Sequence, residues 1–145
     1  MSEEEKKIEQ KEEESGEKKI KIFIGEDDKF ISRAYQDGLK RAGFEVFTGF
    51  DGSEVLKNIK ENKPDLILLD LIMPIKNGFE VLGEMKMDSG LRKIPVVVLS
   101  NLGQDSDIER ARELGAKDYL IKSNYSMKEI VEKVREYLIK YKIIV

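Results

Sequence analysis

The sequence contains two apolar segments that are too continuous for a strand with one face in water. DLILLD spans residues 65–70, and IPVVVLS spans residues 94–100. Strands of a parallel sheet that helices cover on both faces have runs of this kind, whereas a half-exposed strand alternates apolar and polar residues. The two segments therefore predict a parallel sheet that is buried on both faces.

Three further segments are typical of strands, and amphipathic segments follow all five. The other predicted strands are IKIFIG at 20–25, FEVFT at 44–48 and AKDYLIK at 116–122. The segments after the strands carry apolar residues at helical spacing. The first predicted helix has Phe30, Ala34 and Leu39 among its apolar residues and ends at Gly43. Five strand–helix units over residues 20–140 predict an α/β domain with a five-stranded, doubly wound parallel sheet.

Charge divides the chain into two parts. Residues 1–19 are rich in Glu and Lys, with eight acidic and five basic side chains, and are nearly devoid of apolar residues. They predict a charged N-terminal tail that is disordered or forms a fraying helix, followed by one domain at 20–145. The whole chain has 29 acidic and 26 basic residues, so the domain itself is balanced. General nucleic-acid affinity is therefore not expected.

Two missing residue types exclude several kinds of site. The sequence contains neither cysteine nor histidine. This excludes disulfides, thiolate or histidine metal sites, cysteine nucleophiles and Ser-His-Asp catalysis, and it means that this chain carries no phosphate on an imidazole of its own. The charged N-terminus does not fit a secretory signal, and no apolar run reaches the roughly 20 residues that span a bilayer. We expect a cytoplasmic protein with no membrane partner.

Polar side chains stand at the carboxyl ends of four predicted strands. They are Glu26, Asp27 and Asp28 after the first strand, Asp70 at the third, Ser100 at the fourth and Lys122 at the fifth. Doubly wound folds bind ligands beyond these strand ends. Singly, each residue has a simpler explanation as a helix cap, a turn residue or a surface residue. Together they predict a site, and crowded carboxylates without His or Cys suit a hard cation such as Mg²⁺.

The segments around these residues resemble the receiver domain of two-component response regulators. The resemblance covers residues 20–140 and rests on IFIGEDD, LILLDLIMPIKNGFE, VVVLSN and GAKDYLIKS. It implies a flavodoxin-like (βα)₅ fold with strand order 2-1-3-4-5, in the manner of stand-alone chemotaxis regulators. It also implies a signalling domain, which catalyses only its own phosphorylation and dephosphorylation, rather than an enzyme.

The resemblance implies a role for each site residue. Asp70 would accept a phosphoryl group from a histidine kinase or a histidine phosphotransfer protein. Glu26, Asp27, Asp70 and the backbone carbonyl of Ile72 would bind Mg²⁺. Ser100 and Lys122 would contact the phosphoryl oxygens.

A switch would carry the signal from this site to a partner. Ser100 would move toward the phosphoryl group, and Tyr119 would turn from exposed to buried. A downstream protein would then bind the face between the fourth strand and the fifth helix. The alternative for Tyr119 is simple packing.

Three features depart from the family pattern. Ser123 stands where a proline joined by a cis bond is common, which predicts either a reshaped trans loop or local strain. Asn101 replaces a small residue, and Ile72 has no polar side chain to orient a water molecule, so we expect slow self-dephosphorylation. Only YKIIV follows the fifth predicted helix, so we expect output through protein contacts, and we expect residues 143–145 to pack back on the domain or to contact a partner.

Three alternative functions remain at this point. A receiver-like module that binds partners without phosphorylation keeps the fold and drops the chemistry. A flavodoxin-type electron carrier would need a phosphate-cradling loop where this chain has Glu26 and Asp27, and the chain has no tryptophan to stack on a flavin. An aspartyl phosphatase would need a second acid two residues after Asp70, where Ile72 stands.

Overall fold

A computed structural model describes residues 2–7 and 19–144. Five parallel strands form one sheet in the order β2-β1-β3-β4-β5, which confirms the expected fold. The strands are β1 (Lys21–Gly25), β2 (Glu45–Gly49), β3 (Leu66–Leu69), β4 (Val96–Ser100) and β5 (Asp118–Ile121). The helices that follow them are α1 (Lys29–Arg41), α2 (Gly52–Asn62), α3 (Gly78–Lys86), α4 (Asp105–Glu113) and α5 (Met127–Lys140). A 3₁₀ helix at Lys122–Asn124 lies between β5 and α5.

The two faces of the sheet carry separate apolar clusters. Successive side chains of a strand point to opposite faces. Phe23 and Ile67 belong to the cluster under α2, α3 and α4. Ile22 and Leu68 belong to the cluster under α1 and α5. Helices therefore cover both faces, which is why β3 and β4 are apolar along their length.

The buried face of α1 contains only some of the apolar residues that the sequence offered. Asp28 caps the helix by accepting hydrogen bonds from the first turn. The buried residues of the helix are Ser32, Tyr35 and Leu39. Phe30 is 89% exposed, and Ala34 is exposed too. Each is two residues from Ser32, about 200° around the helix axis, so both lie off the buried face although the helix itself was predicted correctly.

Both ends of the described chain bear on earlier expectations. Residues 3–7 are helical, while residues 1 and 8–18 lie outside the described part, so the division at residue 19 stays a prediction. Ile143 and Ile144 pack against the cluster under α1 and α5, as one of the two expectations had it, while Val145 lies outside the described residues. None of the helices in the described ranges has the length and apolarity to cross a membrane.

Strand pairing brings the predicted site residues to one edge of the sheet. Gly25 and Leu69 are register partners, so the next residues, Glu26 and Asp70, leave the sheet side by side. The Asp70 N–H donates to the Gly25 carbonyl at 2.9 Å. In the same way Ser100 pairs with Ile121, so Lys122 follows at the same edge.

Candidate functional site

Three carboxylates meet beyond the ends of β1 and β3. Glu26 and Asp70 are 2% and 5% exposed, and Asp27 is exposed. One oxygen from each of the three lies within 4.8 Å of the other two. Oxygen ligands with no nitrogen or sulfur are those that Mg²⁺ prefers, and an exposed third ligand leaves room for water molecules. The chemistry of the donor set fits a hard divalent cation.

Lys122 follows the edge strand β5, and its side chain reaches these carboxylates beyond the strand ends. Its ammonium forms ion pairs with Glu26 Oε1 and with Asp70 Oδ2, the latter at 2.5 Å. Its side chain is only 11% exposed. The ammonium neutralises two buried acids, as a bound metal ion would. The carboxylates therefore favour a positive charge between them.

The pKa values of the site follow from burial and charge. Burial raises the pKa of Glu26 to about 7; the hydrogen bond from Lys122 opposes the shift, and the charge of Asp70 adds to it. Burial by itself would lower the pKa of Lys122, but its hydrogen bonds to Asp70 and Glu26 prevail and raise it. A cation near Glu26 therefore favours its ionised form.

The loop after Asp70 folds back on the aspartate. The backbone N–H of Ile72 donates to Asp70 Oδ1 at 3.1 Å, so both carboxylate oxygens have a partner. The Gly78 N–H donates to the Leu71 carbonyl at 3.0 Å. A Cβ at Gly78 would lie 2.4 Å from the Asp70 carbonyl oxygen, so only glycine permits this approach. The loop returns at Gly78 and holds the backbone of Asp70 in place.

Ser100 and Tyr119 contact the same loop residue. Ser100 is fully buried, and its Oγ accepts a hydrogen bond from the Leu102 N–H at 3.4 Å. The Tyr119 hydroxyl donates to the Leu102 carbonyl at 2.5 Å. Burial raises the pKa of Tyr119 to about 12, with the charges of Asp107 and Asp70 acting in the same direction. Leu102 therefore links the two residues that the sequence marked as a switch.

The two departures at Asn101 and Ser123 lie in contact. Asn101 Oδ1 accepts a hydrogen bond from the Ser123 N–H at 3.1 Å. The peptide bond between Lys122 and Ser123 is trans, like the others in the described ranges. Of the two expectations for this loop, the trans peptide bond is the one observed, and the residues after β5 form the 3₁₀ helix at Lys122–Asn124.

Three features of the structure can be compared with known protein families: the acidic pocket, the lysine paired with it and the strand order. The family model of the response regulator receiver domain matches residues 22–135. The chain belongs to this family. Receiver domains act in two-component systems, accept a phosphoryl group on an aspartate and bind a divalent metal in an acidic pocket. They interact with histidine kinases and with downstream effectors.

Curated relatives share the receiver domain and extend beyond it. The transcriptional regulatory protein PrrA of Mycobacterium tuberculosis (strain ATCC 25618 / H37Rv) is 36% identical over 119 residues, which are 81% of this chain and 49% of PrrA. The probable transcriptional regulator ycf27 of Porphyridium aerugineum is 35% identical over 120 residues, which are 83% of this chain and 48% of that protein. The chain thus spans about half the length of the curated relatives it matches.

Solved structures of receiver domains share the fold. The phosphorylated cyanobacterial phytochrome response regulator RcpA has a TM-score of 0.72 and 37% identity, covering 83% of this chain and 92% of RcpA. The Mn²⁺-bound form of the response regulator Rcp1 has a TM-score of 0.69 and 34% identity, covering 82% of this chain and 91% of Rcp1. The family and the fold expected from the sequence are confirmed.

The structure brings most of the predicted site residues of this receiver domain together. Glu26, Asp27, Asp70 and Lys122 form one cluster, and Ile72 touches it through its N–H. Sequence reasoning missed Tyr35, which is 9% exposed. Burial raises the pKa of Tyr35; the charge of Lys122 opposes the shift, and the charges of Glu26 and Asp70 add to it. Sequence reasoning also missed Leu102, which takes part through its backbone and so leaves no trace in the side-chain pattern.

Proposed function

We propose that Asp70 is the residue of this receiver domain that accepts the phosphoryl group. The observation that carries the proposal is its environment. Asp70 is a buried carboxylate at the end of a central strand, beside two other acids and one lysine. A lone acid in a structural role would not require this concentration of charge. The donor is a histidine kinase or a histidine phosphotransfer protein, and Mg²⁺ is the metal.

Glu26, Asp27 and Asp70, with the backbone carbonyl of Ile72, would hold the Mg²⁺. When bound, the ion would supply positive charge that offsets the negative charge of the phosphoryl group and of the acids. Support comes from the three oxygens within 4.8 Å and from the ammonium that already lies between two of the acids.

In the transfer step one oxygen of Asp70 forms a bond to phosphorus while the bond from phosphorus to the donor nitrogen breaks. Both oxygens of Asp70 start with a partner, Lys122 on Oδ2 and the Ile72 N–H on Oδ1. Lys122 must leave Oδ2 and move to a phosphoryl oxygen. This one movement frees Asp70 Oδ2 to attack and neutralises the charge of the incoming phosphoryl group. The Ser100 hydroxyl donates to a further phosphoryl oxygen. The domain thereby catalyses its own phosphorylation.

The signal leaves the site through Leu102. Ser100 Oγ gives up its hydrogen bond to the Leu102 N–H when it turns to the phosphoryl group, and Tyr119 is bonded to the carbonyl of the same residue. A shift of this loop therefore changes the surroundings of Tyr119 and the population of surface states. A downstream protein reads the change on the face between β4 and α5.

Exposed apolar side chains near the site favour a protein as the phosphoryl donor. Phe30 at the start of α1 is 89% exposed, and Ile72 and Ile75 in the loop after Asp70 are 53% and 75% exposed. Single exposed apolar residues are ordinary, but these three follow the two strands that carry the acids.

We place the domain in the cytoplasm, with protein partners and no direct contact to nucleic acid, in keeping with its balanced charge.

The test is the intact mass after treatment with acetyl phosphate, with and without Mg²⁺, on the native protein and on Asp70→Asn. We expect one added phosphoryl group that requires Mg²⁺ and is absent in the variant. No adduct on a native protein that binds Mg²⁺ would favour the receiver-like module that binds partners without phosphorylation. The decay of the adduct tests the expected slow self-dephosphorylation, and a half-life of seconds would contradict it.

A further inference from the structure

Two of the residues that depart from the family pattern, Asn101 and Ser123, form a hydrogen bond between the ends of β4 and β5. Asn101 follows Ser100 at the end of β4, and Ser123 follows Lys122 at the end of β5. Asn101 Oδ1 accepts from the Ser123 N–H at 3.1 Å. Because Ser100 and Ile121 are the last register partners of these strands, the bond continues the β4–β5 pairing beyond the sheet.

The bond stabilises the short helix that contains Lys122. The first N–H groups of any helix have no partner within it. The 3₁₀ helix at Lys122–Asn124 has Ile121 as its N-cap residue, which provides no side-chain hydrogen bond. The Ser123 N–H is one of the uncapped donors, and Asn101 supplies its acceptor from the neighbouring loop. The backbone on the C-terminal side of Lys122 is thus held to the end of β4.

Asn101 and Ser123 depend on each other chemically. Proline has no N–H, so a proline at 123 could not donate to Asn101. An alanine at 101 would have no side-chain acceptor for Ser123. A proline ring restricts the backbone by fixing φ, and here a hydrogen bond from a second loop restricts it instead. The two departures from the family pattern are therefore one structural feature.

We infer that Asn101 is a positioning residue that acts through Lys122. By holding the Ser123 N–H, it keeps the Lys122 ammonium on Glu26 and Asp70 and aims it at the incoming phosphoryl group. The inference rests on the proposed function of Lys122. The hydrogen bond of the Asn101 side chain is to the Ser123 N–H, so its contribution passes through the backbone at residues 122–123.

Four variants test the effect on the rate of phosphorylation by acetyl phosphate at a fixed Mg²⁺ concentration: Asn101→Ala, Ser123→Ala, Lys122→Met and the double variant of residues 101 and 122. Asn101→Ala removes the acceptor, and we expect the rate to fall by about threefold to tenfold, the range for one exposed hydrogen bond. Ser123→Ala keeps the N–H donor and is the matched control, with an unchanged rate. Adding Asn101→Ala to Lys122→Met should lower the rate no further than Lys122→Met does alone. An equal loss in both backgrounds would show that Asn101 acts independently of Lys122 and would overturn the inference.

A second readout needs no phosphoryl chemistry. The ion pairs protect the Lys122 ammonium from exchange with water, so its ¹⁵N NMR signal should be visible in the metal-free native protein and in Ser123→Ala. We expect it to broaden or vanish in Asn101→Ala. A native protein that takes no phosphoryl group but shows this pattern would refute the proposed function and support the positioning role. An unchanged ammonium signal in Asn101→Ala would refute the positioning role itself.

Discussion

Lys122 is the residue on which the charge balance of the site depends. It is nearly buried and bonded to two buried acids, and its ammonium is the cation that the structure places between them. Removing one partner of a buried ion pair costs far more than the pair gains, because the remaining charge keeps its desolvation penalty. Here one substitution would leave two acids without a partner.

Lys122→Met should destabilise the metal-free protein by about 3 kcal/mol, the usual cost of breaking a buried ion pair. Mg²⁺ should restore much of that loss, because it replaces the missing positive charge. Urea unfolding with EDTA and with Mg²⁺ measures both effects. Lys128→Met, at an exposed residue of α5, is the control and should change stability little in either condition. Equal stability of Lys122→Met and the native protein in EDTA would contradict this account.

At the scale of one element, α5 shows how a helix is tied to the edge of the sheet. The helix begins with a capping box formed by Ser126 and Glu129. The Tyr137 hydroxyl donates to Asp118 Oδ2 of β5 at 2.6 Å. The ring of Tyr141, the residue after α5, stacks on Tyr137 with centroids 6.0 Å apart, yet its buried hydroxyl has no hydrogen-bond partner among the described residues. The two stacked tyrosines thus differ in the hydrogen bonding of their hydroxyl groups.

Tyr137→Phe should lower the free energy of unfolding by about 1–2 kcal/mol, since it removes a hydrogen bond to a carboxylate. Tyr141→Phe is the matched control and should be neutral or slightly stabilising, because it removes a buried polar group that lacks a partner. Denaturant melts of both variants measure the difference. Similar losses in the two variants would mean that the Tyr137–Asp118 bond contributes nothing specific.

The same bond has a pH dependence. Burial and Asp118 raise the pKa of Tyr137 above its ordinary value near 10. An acid whose folded-state pKa is raised contributes stability that is complete below its unfolded pKa and is lost as pH rises above it. The native protein should therefore lose stability above about pH 10 more steeply than Tyr137→Phe.

The elements themselves could be predicted from the sequence, but the face of α1 could not. Its apolar residues allow two stripes, one through Phe30 and Ala34 and one through Tyr35 and Leu39. Packing selects the second, with the small Ser32 buried on the same side. Hydrophobicity alone favours Phe30 over Ser32, and only the sheet beneath the helix decides between them.

At the scale of the whole molecule, the strand order determines which residues meet. The sequence predicted the cluster of acids because the carboxyl ends of parallel strands share an edge. It did not predict that Asn101 would bond to Ser123, because that contact depends on the trans geometry of the loop after Lys122. Contacts between strand ends follow from the strand order, while contacts between loops depend on the backbone conformation of each loop.

The proposed Mg²⁺ site exists only in the folded state, so Mg²⁺ should stabilise the whole domain. Ligand at about 100 times its dissociation constant adds about 2.7 kcal/mol to the free energy of unfolding. A thermal melt in MgCl₂ against NaCl of equal ionic strength measures the gain. Asp27→Asn removes the exposed acid of the cluster and should reduce the gain while leaving the metal-free melting temperature nearly unchanged. A full gain in Asp27→Asn would exclude that residue as a ligand.

The position of Lys122 late in the sequence has a consequence for the order in which the domain can fold. Glu26 and Asp70 follow two central strands that pair directly, whereas their cationic partner follows the edge strand β5, 96 residues beyond Glu26. A folding intermediate with the central pair formed and β5 undocked would hold the acids in mutual repulsion. Docking of the last strand would remove that repulsion, so the ion pairs of Lys122 favour the attachment of the C-terminal part of the chain to the sheet.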